Sequence, residues 1–284
     1  MKITVIIPTW NSMPELWDTL ASLPDAFGDA IEEVVIVDKG STDATIDVAE
    51  NFGCTVLHDN GTLGHARKTG LQYATTEWVA FIDSDITLPV DWLQGIQSFK
   101  EEAETDGFRP IGWLYGYTKE DIPFIERAHE WKRQLRNSLP RFLHQGDFER
   151  AYTNNTICLR EPLLDAPIEG LNAWEDYVMG QWMIKKGYWV IEVPIPCGHL
   201  KHGVYEKFGN YTEAWGIAGE LKAKGWNPKT LGRPLYFAYW GIRCTVHFKD
   251  LRYCQYYTGV CLSMYKAIFD CTHKAFSWSR NVPL

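Results

Sequence analysis

Short uninterrupted apolar runs alternate with longer stretches in which apolar positions recur every three or four residues, and that alternation sets the framework of the chain. Ile3 to Ile7 is an apolar run of strand length, closed by Pro8 and followed by Thr9-Trp10-Asn11. It predicts a central buried strand emptying into a polar loop. A helix is expected from about Pro14 to Leu23. Val34 to Val37 predicts a second strand, running into Asp38-Lys39-Gly40-Ser41-Thr42-Asp43. There Gly40 permits a tight turn, and Ser41 or Thr42 can cap a helix that reaches about Asn51. Cys54 to Leu57 predicts a third strand, Gly64 to Gly70 the head of a further helix, and Trp78 to Ile82 a fourth strand. Strands alternating with helices of about ten residues indicate an α/β fold with a doubly wound, parallel sheet.

Downstream, Trp92 to Glu104 predicts a helix and Ile111 to Tyr117 a strand. Ile122 to Leu139 reads as an amphipathic helix ending in a loop around Pro140-Arg141. Thr156 to Leu159 is a short strand, and Glu175 to Lys186 a helix closed by Gly187. Tyr188 to Val193 is the last strand. His199 and His202 then fall in a glycine-flanked loop, and the remainder reads as helical and rich in aromatic residues.

The chemistry concentrates where strands end. The run Val79 to Ile82 leads into Asp83-Ser84-Asp85, which places two carboxylates at the carboxyl edge of a sheet, where open α/β sheets bind ligands. Such a pair suits a hard cation or sugar hydroxyls. Arg67 and Lys68, at the head of a helix, form a candidate anion site. Other acids have plainer readings beside functional ones: Asp38 and Asp43 can cap the helix that follows them, and Glu175 and Asp176 lie in a first helical turn, where the dipole favours acids.

Composition narrows the classes. With 284 residues, 45% hydrophobic and 23% charged, the chain can bury a substantial core. No apolar run reaches the roughly 18 residues of a spanning helix. Met1-Lys2 leads directly into the first strand, so no secretory leader is expected, and the seven cysteines show no CxxC spacing. A reducing, cytoplasmic setting is the expectation. The net charge of −8 offers nothing to nucleic acid, yet it conceals a split: after Leu221 there are ten Lys or Arg against Asp250 and Asp270 alone.

Five segments in one order, Val5 to Asn11, Val37 to Asp43, Gly64 to Gly70, Asp83-Ser84-Asp85, and Trp174-Glu175-Asp176 leading into Lys186-Gly187-Tyr188, together resemble the family 2 glycosyltransferases over roughly residues 2 to 205. The resemblance implies a GT-A fold, Rossmann-like, with a mostly parallel central sheet flanked by helices. It divides the chain into a domain of residues 1–205, with a nucleotide-binding half (1–100) and an acceptor-binding half (101–205), and a helical, basic C-terminal extension (206–284). It further implies inverting, metal-assisted single displacement from a UDP- or GDP-sugar to a glycan or lipid-linked acceptor. By this likeness Pro8, Thr9 and Asn11 line the nucleotide pocket and Asp38 binds the base. Asp83, with Ser84 and Glu175 nearby, sits at the ribose side, and Asp85 holds Mn²⁺ or Mg²⁺ with His202 completing its shell, or else His199. Arg67 holds the diphosphate, and Asp176 is the general base. Lys39 departs from the pattern, standing where a second acidic or amide residue is common, as does Lys68, where asparagine often follows the arginine.

Two other readings stand beside this one. A sugar-1-phosphate nucleotidyltransferase would carry a glycine-rich, Arg-bearing loop after the first strand, where this chain has Pro8-Thr9-Trp10-Asn11. An inactive fold that binds a sugar or a partner has no need of Asp85 and Asp176. The basic C-terminal region is further expected to lie peripherally on the cytoplasmic face of an anionic membrane. Leu235 to Trp240 and the helix-spaced series Tyr253, Tyr257, Val260, Met264 and Ile268 would meet it, with Arg243, Lys249, Arg252 and Lys266 at the headgroups. Packing of the same aromatics on the rest of the protein is the alternative.

Overall fold

The computed structural model describes residues 1–120, 122–136, 139–147, 150–200, 217–221, 224–225 and 228–274. The first apolar run forms β1 (Ile3–Thr9), and its alternation in space explains why no polar position interrupts it. Ile3, Val5 and Ile7 face one core, built with α1 (Glu15–Phe27), α2 (Thr45–Asn51) and α4 (Trp92–Thr105). Ile6 faces the other, built with α3 (Leu63–Tyr73) and α6 (Glu175–Lys185). A strand covered on both faces has no solvent side. Each aliphatic side chain so buried contributes about 1.5–3 kcal/mol.

β1 pairs in parallel with β2 (Ile31–Asp38) on one side and β4 (Trp78–Ile82) on the other, and β3 (Thr55–His58) extends the parallel set beyond β2. Chain order reverses at β1, so the carboxyl ends of β2 and β4 flank a topological switch point. Past β4 the sheet becomes mixed. β8 (Asn155–Leu159) lies antiparallel to both β4 and β6 (Ile111–Glu120), and β6 runs parallel to β9 (Trp189–His199). β9 also carries β5 (Ile86–Thr87) and β7 (Arg141–Leu143) as antiparallel partners.

Several expected boundaries shift for physical reasons. The helix after β2 begins at Thr45, not at Ser41 or Thr42, because Ser41 is drawn to Asp38 while Asp43 accepts the Thr45 amide and hydroxyl. The last strand runs on to His199, past Pro194 and Pro196. Its register against β6 slips between Tyr115 and Tyr117, the kind of bulge at which a sheet tolerates proline. Arg141, expected in a loop, opens β7. In α3, Gly64 is needed for close approach: a Cβ there would fall 1.9 Å from the Ile168 carbonyl oxygen.

The C-terminal region supplies α7 (Pro228–Phe248) and α8 (Leu251–Lys274), which pack against each other and against α5 (Pro123–Arg136). Their seam overturns one expectation. Tyr253, Tyr257, Val260 and Met264 are buried among Phe124, Trp240, Cys244 and Ile217 rather than presented to a surface. None of the described helices is long and apolar enough to cross a membrane.

Candidate active site

The loops at the carboxyl ends of β1 and β2 are tied to each other by their own side chains. Asp38 is fully buried: Oδ1 accepts from the Thr9 and Ser41 hydroxyls at 2.9 and 2.5 Å, and Oδ2 from the Gly40 and Ser41 amides at 2.8 Å. Asn11, in the left-handed region at φ 49°, accepts the Thr42 amide at 2.8 Å, while its own amide donates to Ser41 Oγ. Pro8 is the half-buried penultimate residue of β1, paired with Val37. Thr9, Asn11, Ser41 and Asp38 thus form one hydrogen-bonded network, and Asp38, expected to contact a base, has both carboxylate oxygens committed to it. Trp10 and Lys39 are exposed on its rim, with the ammonium 5.7 Å from the indole centroid.

At the end of β4, Asp83 and Asp85 keep side-chain exposures of 38% and 39%, open enough to receive a ligand. Ser84, between them, donates to Ser12 Oγ and lends its carbonyl to Thr19 Oγ1, which fixes the turn. Asp83 accepts from Arg67 Nη2 at 2.8 Å, and Arg67 Nε donates to Glu175 Oε1 at 3.1 Å. Arg67 was expected to reach a diphosphate, but it is 1% exposed and lies behind the acids as a buried link between β4 and α6. Burial alone would lower its pKa; Asp83 and Glu175 together hold it raised. Lys68 is buried beside it, donating to the Ala166 carbonyl.

Glu175 and Asp176 open α6 after Trp174, which takes a left-handed conformation at φ 68°. Asp176 is gripped by Arg150, whose Nε stands 2.9 and 2.8 Å from the two carboxylate oxygens and whose Nη2 stands 2.8 Å from Oδ2. The Arg150 guanidinium lies over the rings of Tyr152 and Trp174. No motif marks Arg150 in the sequence, since it sits in a stretch without readable pattern and meets Asp176 only through the fold. Burial, and then the neighbouring charge of Asp176, push Glu175 up to about 7. Its folded value therefore stands above the ordinary 4.5, so the native state holds the proton more tightly and stability is lost as pH rises between those values. Glu175→Gln is expected to flatten that decline, worth roughly 3 kcal/mol at most, in urea unfolding midpoints compared from pH 5 to 8. Parallel curves for the two proteins would refute it.

The expected metal ligand His202 lies outside the described residues. His199 does not: the β5–β9 ladder pairs it with Ile86 and brings Nε2 to 3.2 Å from Asp85 Oδ2, while Nδ1 faces Glu120 Oε2 at 3.4 Å. A carboxylate oxygen and an imidazole nitrogen, the latter beside a second carboxylate, could serve as donors to a divalent cation. Among the described residues no cluster of three or more metal-ligating side chains occurs, and Asp85 and His199 are the two donors they bring together here. The arrangement brings the Asp85–His199 pair, the Thr9–Asp38 network and the Arg67-linked acids Asp83 and Glu175 to the ends of β1, β2, β4 and β9.

Helical residues 217–221 and α7 cover the turn that leads into α6. A Cβ on Gly219 would come within 2.8 Å of the Ala173 carbonyl oxygen, so the two backbones nearly touch. Buried Glu220 pairs with Arg233 at 2.6 Å, and both Arg233 and Lys224 lie over the Trp174 ring, at 5.5 and 4.5 Å from its centroid.

Residues 4–163 match the model of Glycosyl transferase family 2. The uncharacterized glycosyltransferase YfnE of Bacillus subtilis (strain 168) is 28% identical over 161 residues, 55% of this chain and 41% of that protein. The poly(ribitol-phosphate) beta-N-acetylglucosaminyltransferase TarS of Staphylococcus aureus is 35% identical over 114 residues, 37% and 20% of the two chains. The chain thus spans less than half the length of these relatives. Among solved structures, the mannosyltransferase PcManGT from Pyrobaculum calidifontis in complex with GDP-Man and Mn²⁺ shares the fold, with a TM-score of 0.54, 17% identity, and coverage of 98% of this chain and 76% of that one. So does glucosyl-3-phosphoglycerate synthase from Mycobacterium tuberculosis in complex with Mn²⁺, UDP and glucosyl-3-phosphoglycerate, with a TM-score of 0.53, 18% identity and coverage of 78% of each chain.

Proposed function

The chain belongs to glycosyltransferase family 2, and from that premise we propose that it transfers a sugar, with inversion, from a UDP- or GDP-sugar to a hydroxyl of a glycan or lipid-linked acceptor. One observation carries the reading: the acids ending β4 and the acids opening α6 are joined through a single buried arginine, Asp83–Arg67–Glu175, so donor side and acceptor side form one unit. Thr9, Asn11 and Asp38 shape the nucleotide wall, with Trp10 and Lys39 as the groups free to meet the base. Asp85 and His199 would hold a divalent cation, which when bound neutralises charge developing on the departing diphosphate. Asp176 takes the acceptor's proton as the hydroxyl attacks from the face opposite the leaving group. For that, the acceptor must part Asp176 from Arg150.

Thermal unfolding with UDP and GDP, each with and without Mn²⁺, tests the donor side, because only a ligand of the native state raises the melting temperature. One diphosphate, at about 100 times its Kd, is expected to stabilise the protein by about 2.7 kcal/mol, a rise of roughly 5–10 °C. The rise should vanish in excess chelator and in Asp85→Asn. A shift that survives both, or none with either nucleotide, defeats the proposal.

A further inference from the structure

With the α7–α8 seam accounted for, both helices carry exposed apolar residues away from it among the described residues. On α7 the exposed apolar residues are Leu231, Leu235, Tyr239, Ile242 and Val246, spaced four, four, three and four apart, which a 3.6-residue turn places in one stripe. Val246 is 73% and Leu235 62% exposed, so the stripe is open along its length. On α8, Leu251, Leu262 and Phe269 are exposed on the side away from Tyr253, Tyr257 and Met264. Scattered exposed leucines, such as those of α8, need no explanation, but the continuous stripe along α7 does.

The charge around the stripe selects the occupant. Between residues 228 and 274 the sequence carries seven Lys or Arg and two Asp. Arg243 stands beside the α7 stripe with its guanidinium 5.9 Å from the Tyr239 centroid, and Lys249 and Lys266 are also exposed. A second copy docked on this face would set cation against cation. An anionic surface would be complemented. We propose that α7 is a docking face for an anionic lipid bilayer, lying along the surface with its apolar stripe in the acyl boundary and Arg243, Lys249 and Lys266 at the headgroups. This interfacial arrangement needs no spanning helix. It goes beyond the transfer reaction and does not rest on it.

The test is sedimentation of the full chain with phosphatidylcholine vesicles, with and without phosphatidylglycerol. Binding is expected only with phosphatidylglycerol and should weaken as salt rises. Ile242→Asp/Val246→Asp should bind about tenfold or more weakly, with unchanged thermal melting because both side chains are exposed. Lys249→Glu/Lys266→Glu, which leaves the apolar stripe of α7 intact, should lose the preference for anionic vesicles. The proposal is overturned by any of three results: no binding to anionic vesicles at low salt, binding unchanged in both variants, or a dimer in light scattering that Ile242→Asp dissociates, which would give the stripe to a second copy.

Discussion

Asp176→Asn is expected to lower sugar transfer by about 10²- to 10⁴-fold while leaving nucleotide affinity close to that of the parent protein. Asparagine keeps the size of the side chain and can still accept the Tyr177 amide hydrogen bond now made by Asp176 Oδ1. What it loses is the charge that draws Arg150 and the capacity to take a proton. The donor side reaches α6 through Glu175, not Asp176, so the two functions separate at this position. Turnover at saturating donor and acceptor, set beside the dissociation constant for the nucleoside diphosphate, reads both. Equal collapse of affinity and turnover would make Asp176 a structural residue. Unimpaired turnover would place the base elsewhere.

Arg67→Met should be the most destabilising single change at the site, at about 3–5 kcal/mol, with a fall in melting temperature on the order of 10 °C. Methionine fills much of the volume but strips Glu175, in its closed environment beside Asp176, of its cation. The loss should be partly repaired by adding Glu175→Gln, because the second change removes the acid that the first leaves stranded. A double-mutant cycle in urea isolates that coupling. Strictly additive effects would show that the two side chains do not act as a pair.

The early part of the chain was legible because β1, β2 and β4 are covered on both faces, and a strand with no solvent side writes itself as an unbroken apolar run. Residues whose roles are set by contacts across the fold were not. Arg67 and Lys68 read as surface cations at a helix head, whereas acids more than a hundred residues away at Glu169 and Glu175 draw them inward. His199 read as a loop residue because Pro194 and Pro196 precede it, and only the bulge in the β6–β9 register carries the strand past them to Asp85. In the C-terminal helices the period was right and the face was wrong. A helix with apolar residues on two sides offers two stripes, and sequence cannot say which meets its neighbour. The structure buries Tyr253, Tyr257, Val260 and Met264 and leaves the stripe of α7 open.

The contact of residues 217–221 and α7 with Ala173 and Trp174 bears on how such a protein can be recombined. Trp174 sets the left-handed turn from which Glu175 and Asp176 project, and its ring is covered by Lys224 and Arg233, while Glu220 fixes Arg233 in place. The tail is therefore not an exchangeable module appended to a finished catalyst. A chimaera joining residues 1–200 to the tail of a relative would inherit an indole that keeps Arg150 over its ring but lacks Lys224 and Arg233. Exchange of the tail by cassette requires a junction upstream of Ala173, so that the turn, the acids and the cover above them travel together.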